Sequence, residues 1–502
     1  MSNLASAYSG LSVLDLSSRL SGAFAARLFG DLGADVVIAE PPGGHVLRRE
    51  RPLHGGESPV HAYVNWNKRS SRYVDFSELH DLATAADVVV ATDLKTAADL
   101  HAWLKSSAVL VVVTPHGGDG ELHAAPGNNL TTSARSGWSY INRLRDEPPL
   151  QMPRHQSGYI GGIAGYIAAS AALLRRHTES IAERVDVSEL EAFAHTAHPW
   201  AIMSIYAGQE DCFGPVGWRP RGALSPLWPA GGGDVHLAIG DFHNWTEAMS
   251  FLGLPELGKD PELIVDYGRH GRDLREVVEK LGDVLPDIDR WTAFHALAQL
   301  RCVIGVVQNM QDLGQDAQFR ARKFLVDFEV DGASVRAPGA PFQLMPAPWR
   351  LVNPAPSQGQ HRLKFKPARF KAQPQTASDR QGPLAGCRVL SFGQAWSGAF
   401  AAETLAFLGA DVVQVASLQR PDVWRRVRTG VPEGVRDEAK RQHPLNTSGL
   451  FNSVNLNSRE LTLNMKAPEG MALFWRLVAN FDVVLDNFRA TVMPGWGVSL
   501  DK

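Results

Sequence analysis

Cysteine is scarce in this chain. Its 502 residues hold three, Cys212, Cys302 and Cys387, odd in number and far apart. That spacing supplies neither a disulfide framework nor a zinc-ligand pair. Long apolar runs are missing too, and none approaches the roughly 18 residues that a membrane span requires. The richest stretch, GYIGGIAGYIAASAALLRR at 158–176, is interrupted by glycine at 158, 161, 162 and 165 and reads as a small-residue helix suited to close packing. No charge of one sign dominates. Fifty Lys and Arg stand against 53 Asp and Glu, a formal net charge of −3, without the basic footprint of a nucleic-acid or membrane-surface binder. The opening MSNLASAYSG has neither the basic nor the apolar stretch of a secretory signal, so the expected location is cytoplasmic.

What is present is a repeat. Ser21-Gly22-Ala23-Phe24-Ala25-Ala26 recurs as Ser397-Gly398-Ala399-Phe400-Ala401-Ala402, and Leu32 to Val37 recurs as Leu408 to Val413, both at a spacing of 376 residues. That period is domain-sized, far longer than the ~50 residues of the largest solenoid units. Val13-Leu14-Asp15-Leu16 is a short apolar run of strand length. Ser17 and Ser18 offer oxygens for a helix N-cap, and Gly22 would let the backbone turn tightly into the helix. Phe24, Leu28 and Leu32 recur at four-residue spacing on one helix face. Gly33 suits a left-handed C-terminal cap, and Val36-Val37-Ile38 is a buried strand. The stretch therefore predicts a βαβ unit that opens a parallel sheet. Its turn, SSRLSG, has no G-x-G-x-x-G, which argues against a dinucleotide site.

Along the chain, Glu40-Pro41-Pro42-Gly43-Gly44 is a loop at the carboxyl end of a strand, where open α/β sheets bind ligands. Asn65-Trp66-Asn67-Lys68-Arg69-Ser70 is polar and basic and reads most simply as a solvated turn. Residues 86–90, 109–114 and 184–188 are further strands, the last leading into a helix near Glu189. His195 and His198 stand three apart on that helix, without a visible third ligand for a metal. Gly231-Gly232-Gly233-Asp234 lacks a following Lys-Ser or Lys-Thr and reads as a hairpin turn. Amphipathic helices follow at 245–252, 272–281 and 291–300. Residues 353–383, rich in Pro, Gln, Ser and Lys, read as a linker. The expected organisation is a large α/β domain at 10–225, a small α+β domain at 226–330, a return segment at 331–352, that linker, and the opening part of a second copy at 384–502.

The motifs in order resemble the class III CoA-transferase family of CaiB/BaiF type. They are VLDL…SGAFAARLFGDLGADVVIAEPPGG, NWNKRS, RVDVSELEAF and GAPF, then VLSF…SGAFAAETLAFLGADVV, NLNSRELTLNMKAPEG and DVVLDNFR. The resemblance implies an α/β fold with a Rossmann-like parallel sheet in the large domain, a smaller α+β domain, and a partial second copy of the large domain. It also implies two units interlocked like chain links, either as a homodimer, with another CoA-transferase chain, or from the two halves of one chain. The activity implied is transfer of CoA from an acyl-CoA thioester to a carboxylic acid. In the family an aspartate attacks the thioester, and the exchange proceeds through covalent intermediates. Coenzyme A or acyl-CoA is the implied substrate, with no metal, no nucleic acid and no membrane.

Carried over residue by residue, the family pattern places Gly158 where the aspartate belongs, after Asp146-Glu147-Pro148-Pro149-Leu150 and before the glycine-rich helix. The histidine of the racemase relatives would fall at Asn128. No catalytic residue is therefore assigned, and the second copy's equivalent of residue 158 is expected beyond Lys502. The family's adenine pocket maps onto Leu463, Lys466, Asn487 and Phe488, with Lys466 to meet phosphate and Phe488 to stack. The first copy has Thr92-Asp93 at the place of Asn487-Phe488. The expectation is a CoA-transferase-family protein whose own nucleophile is absent. The alternative is a non-catalytic scaffold or decayed copy that binds CoA or pairs with another chain.

Overall fold

The computed structural model describes residues 6–142, 148–175, 183–197, 227–239, 242–264, 274–345, 348–366, 381–426, 444–446 and 448–499. The repeated stretch forms the βαβ unit the sequence predicts: β1 (Ser12–Leu16), α1 (Leu20–Asp31) and β2 (Asp35–Glu40). Next come α2 (Pro59–Asn65), β3 (Lys68–Arg72), α3 (His80–Ala85), β4 (Val88–Ala91), α4 (Leu94–His101) and β5 (Val109–Thr114). After α5 (Asn129–Arg135) and α6 (Trp138–Ile141) the long helix α7 (Gln156–Arg175) leads to β6 (Glu183–Ser188) and α8 (Glu189–His195). The six strands pair in parallel in the order β3-β2-β1-β4-β5-β6. Val88, Val89 and Val109 to Val113 are almost entirely buried, as strands covered on both faces should be.

Two local expectations are corrected. Neither Ser17 nor Ser18 caps α1; its N-cap is Arg19, whose side chain makes no capping bond. Ser17 and Ser18 instead tie the strand end, Ser17 N–H to Asp15 Oδ1 and Ser18 N–H to Thr92 Oγ1. Gly22 lies inside the helix, and close approach explains it. A Cβ there would lie 2.5 Å from Thr92 Cγ2 and 2.6 Å from Ser17 Cβ. Gly33, at φ +97°, does end the helix in the left-handed region, where glycine carries no Cβ penalty.

Helix α7 has the length and apolar character of a membrane span, which corrects the reading that its glycines rule this out. Those glycines serve packing. A Cβ on Gly162 would strike the Ser21 carbonyl of α1 at 2.7 Å, and one on Gly165 would touch Val113 of β5 at 3.1 Å. Ala169, Ala172 and Leu173 join the buried cluster over the sheet. A half-buried helix of this kind is the core helix of a layered domain.

The polar run 65–70 is not a solvated turn. Lys68, Ser70 and Ser71 are buried on β3, and Asn65 and Trp66 are wholly buried. Nor is 353–383 a free linker over its described part. His361 N–H bonds the Ser70 carbonyl, Lys366 N–H bonds Asp35, and Leu363 and Phe365 pack on the sheet's cluster. The segment thereby covers β3, an edge strand whose outer polar groups need partners.

The GGGD turn joins β7 (Leu227–Ala230) and β8 (Gly233–Leu237), and β9 (Ile304–Val306) completes a three-stranded antiparallel sheet. Helices at Trp245–Phe251, Arg275–Val284 and Arg290–Gln299 fall where the amphipathic pattern predicts. The hairpin β10 (Leu325–Val330) and β11 (Ala333–Pro338) packs with Trp349 against Trp66.

A second parallel sheet follows: β12 (Arg388–Ser391), α9 (Ser397–Phe407), β13 (Asp411–Ala416), β14 (Arg459–Thr462) and β15 (Val483–Leu485), in the order β14-β13-β12-β15. This is the order β3-β2-β1-β4 over again. Equivalent bonds recur with it. Asp87 accepts from Ser12 N–H at the start of β1, and Asp482 accepts from Arg388 N–H at the start of β12. Ala171 of α7 packs against the face of this second sheet, and His195 of α8 lies against Phe400 and Phe407 of α9. His195 thus sits in an aromatic contact, and His198 lies outside the described residues.

Candidate functional site

The carboxyl ends of β1 and β2, the start of β3 and helix α1 contribute to a buried charged network. Lys68 Nζ donates to Asp15 Oδ2, the Ala23 carbonyl and Asn65 Oδ1, each at 2.7 Å. All three ammonium protons are used, which lets the charge persist without water. Burial still pulls Lys68 below its ordinary pKa, against the attraction of Asp15. Arg27 stacks 3.6 Å over the Trp66 ring and pairs with Asp31, which also accepts from Trp66 Nε1. Burial raises Asp31.

Glu40, at the end of β2, would likewise be raised by burial. Bonds from Arg48, Ser70 and the His45 N–H outweigh that and hold it at about 2. Burial drives His45 down to about 4 and His61 to about 3. Both imidazoles are therefore neutral at neutral pH. This network holds the β2 loop and α2 in place.

An open cleft of about 200 Å³ lies beside it. Its walls are the loop before α1 (Ser18, Arg19), Glu50, the start of α5 (Asn128, Asn129), the start of α7 (His155, Ser157, Gly158) and Glu189 of α8. Parallel-sheet topology explains the convergence, because α1, α5 and α8 all begin where strands end. Glu189 is buried and fully engaged: Arg19 binds it through Nε and Nη2 at 2.9 and 2.7 Å, and Ser21 Oγ at 2.6 Å. That fork locks the start of α1 to the start of α8.

Gly158 does line this cleft. A Cβ at Gly158 would stand 3.0 Å from Leu20 Cδ2, so Leu20 would have to give by a few tenths of an ångström to admit a side chain. Asn128 caps α5 by accepting from Thr131 N–H. Sequence reasoning did not single out Arg19, Glu50 or His155. Glu189 was inside a quoted motif, but nothing in one sequence shows which residue pairs with it.

On the second sheet, Leu463 is buried in a cluster with Phe392, Val415 and Phe474, and Phe488 packs against the same cluster. The Phe488 ring lies 6.3 Å from Phe392 and 5.6 Å from Trp496. Asn487 accepts from Gln394 N–H and donates to the Gln394 carbonyl and Ser397 Oγ. It does for β12 what Thr92 does for β1, catching the N–H of the residue equivalent to Ser18. Gly398 confirms the correspondence, since a Cβ there would lie 2.7 Å from Asn487 Cγ. Asp93, next to Thr92, caps α4 through Thr96 N–H. Lys466 is exposed. The structure thus brings Leu463 and Phe488 into one apolar cluster and commits the Asn487 amide to the turn before α9.

Comparison with known proteins defines the class. The description CoA-transferase family III matches residues 8–362 and again 384–502, and the chain belongs to that family. It is similar to the probable CoA-transferase Rv1866 of Mycobacterium tuberculosis, 27% identical over 97% of this chain, and spans 62% of that protein's length. A succinyl-CoA:(R)-benzylsuccinate CoA-transferase subunit, BbsE, of Thauera aromatica is 26% identical over 70% of this chain and 92% of its own. A CAIB/BAIF family protein from Brucella suis has the same fold, with a TM-score of 0.63 at 21% identity, covering 71% of this chain and 98% of its own.

Proposed function

We propose that the protein acts on CoA thioesters as a tandem CoA-transferase-type chain, related to enzymes that pass CoA between an acyl-CoA and a carboxylic acid. In this reading residues 8–362 form a unit without the aspartyl nucleophile, and 384–502 carry the CoA-holding surface at Leu463, Lys466, Asn487 and Phe488. The family match across both spans supports the general chemistry. The carrying observation is at Gly158. It lines the cleft at the start of α7 yet offers no nucleophile, and a side chain there would press on Leu20. Covalent transfer needs a side-chain nucleophile whose attack splits one hard step into easier ones. Its absence favours the second reading for the first unit, a scaffold that orders a site without performing the transfer. Association with a second CoA-transferase chain fits the same view, since the BbsE relative is itself a subunit. An interlocked pair and a cytoplasmic location belong to the proposal.

Two measurements test it. CoA should raise the melting temperature of the purified chain, and Lys466→Ala should reduce the shift. Transfer of CoA from acetyl- or succinyl-CoA to a panel of carboxylates should stay at background. Absence of any CoA-dependent shift, or turnover of CoA between carboxylates, would overturn the reading.

A further inference from the structure

Two titratable side chains face the cleft with no part in the chemistry above. Glu50 follows the short helical turn Val46–Arg49. His155 immediately precedes α7, where its carbonyl accepts the Tyr159 N–H. His155 Nε2 stands 3.6 Å from Glu50 Oε1, and Arg154 Nη2 stands 3.7 Å from the same oxygen. The His155 and Glu50 side chains are 24% and 29% exposed, and both line the cleft next to Gly158. A gap of 3.6 Å is too long for a direct hydrogen bond. It leaves both atoms free to accept from one water when the imidazole proton is on Nδ1. Burial holds His155 below its ordinary pKa, which keeps the imidazole in its basic form at neutral pH. The other charged groups lining the cleft, Arg19 and Glu189, neutralise each other through their fork.

We propose that Glu50 and His155 are a proton-transfer pair that activates water in this cleft and makes the chain an acyl-CoA hydrolase. The inference rests on the reading that the chain acts on CoA thioesters and adds that their acyl end enters this cleft. The water oxygen forms a bond to the thioester carbonyl carbon while His155 Nε2 takes one of its protons. The resulting oxyanion collapses, the carbon–sulfur bond breaks, and the departing CoA thiolate takes the proton from His155. The products are one carboxylic acid, which ionises to solvent, and one CoA thiol. Glu50 orients the water and stabilises the transient imidazolium. Water takes the place that a carboxylate nucleophile would hold in a transferase.

The test uses the full chain with acetyl-, propionyl- and succinyl-CoA and follows thiol release. The expected result is release above the uncatalysed rate with at least one substrate. The rate should fall at least about 100-fold in Glu50→Gln and in His155→Asn. Asparagine tolerates the positive φ of +70° at this position, so the melting temperature should hold. The wild-type rate should rise with pH along an imidazole ionisation that His155→Asn abolishes. No release from any of the three, or equal release by wild type and both variants, overturns the proposal. CoA-dependent melting run alongside separates the two claims. A shift without release sinks the hydrolase alone, and neither shift nor release sinks the CoA reading as well.

Discussion

The two parallel sheets share a frame and differ in what fills it. Both begin with the same strand order, both hold an asparagine at φ +58° before the third strand (Asn67 and Asn457), and both pair the following arginine with an aspartate, Arg69 with Asp35 and Arg459 with Asp411. The interiors diverge. At the positions of Asp15, Arg27, Asp31, Glu40 and Lys68 the second sheet has Ser391, Glu403, Phe407, Ala416 and Ser458. The first sheet spends its interior on a charged network, whereas the second has serines, apolar residues and a single buried carboxyl, Glu403, there. Their fourth strands differ too. Val88 and Val89 are fully buried between β1 and β5, while Val483 and Val484 of β15 are 38% and 41% exposed. What is common to both is the set of residues that fixes backbone turns and close approaches. A shared backbone plan therefore carries no shared chemistry with it.

The sharpest test of this contrast is the buried lysine. Lys68→Ala leaves Asp15 charged, buried and unpaired, and should cost about 3–5 kcal/mol in urea unfolding. Ser458→Ala, its counterpart, loses one bond to the Asn455 carbonyl and should cost about 1 kcal/mol. Equal costs would erase the distinction between the interiors.

Acid should separate the sheets next. His45 and His61 titrate at about 4 and about 3 when folded, against 6.5 for the free side chain. Between those values the unfolded chain binds more protons, so stability falls as the pH drops from 6.5 toward 4 and on toward 3. Glu40, at about 2 against 4.5, adds a loss as the pH falls from 4.5 to 2. Hydrogen exchange between pH 6.5 and 4 should show β1 to β3 losing protection while β12 to β14 keep theirs. Glu403 works in the opposite direction. Burial raises it to about 7, so its ionisation weakens the second sheet as the pH rises from 4.5 through 7, and Glu403→Gln should remove that slope. Simultaneous opening of both sheets in acid would contradict the account.

The turn bonds should give smaller effects. Thr92→Val and Asn487→Ala free the N–H groups of Ser18 and Gln394, at about 1–2 kcal/mol each, with Asn487→Ala the larger because it makes two further bonds. Lys466→Ala should leave stability within about 0.5 kcal/mol and weaken CoA binding several-fold by isothermal titration. Unchanged affinity would remove Lys466 from the CoA surface.

Much of this frame is legible in the sequence. The repeat, the βαβ pattern, the hairpin turn at 231–234 and the helices of the antiparallel unit all follow local rules of periodicity and glycine placement. The NWNKRS segment is the clearest misreading. A segment with five polar or basic residues out of six looks solvated in isolation, yet Lys68 is buried because Asp15, 53 residues away, and the Ala23 carbonyl of α1 supply its partners. The linker failed for a similar reason, since its polar composition conceals Leu363 and Phe365, which only an uncovered strand edge calls inward. In the cleft, Gly158 was found by pattern, but Glu50 and His155 are brought together by the loops after β2 and before α7. No spacing within the chain announces a contact between residues 50 and 155.

The central claim is that the first cleft receives CoA thioesters without a covalent nucleophile. Intact-mass spectrometry of the purified chain, after incubation with acetyl-, propionyl- and succinyl-CoA and acid quench, tests it directly. The account predicts an unchanged mass at every time point while free thiol accumulates. An added acyl or CoA mass mapping to Glu50 or Glu189 would contradict it.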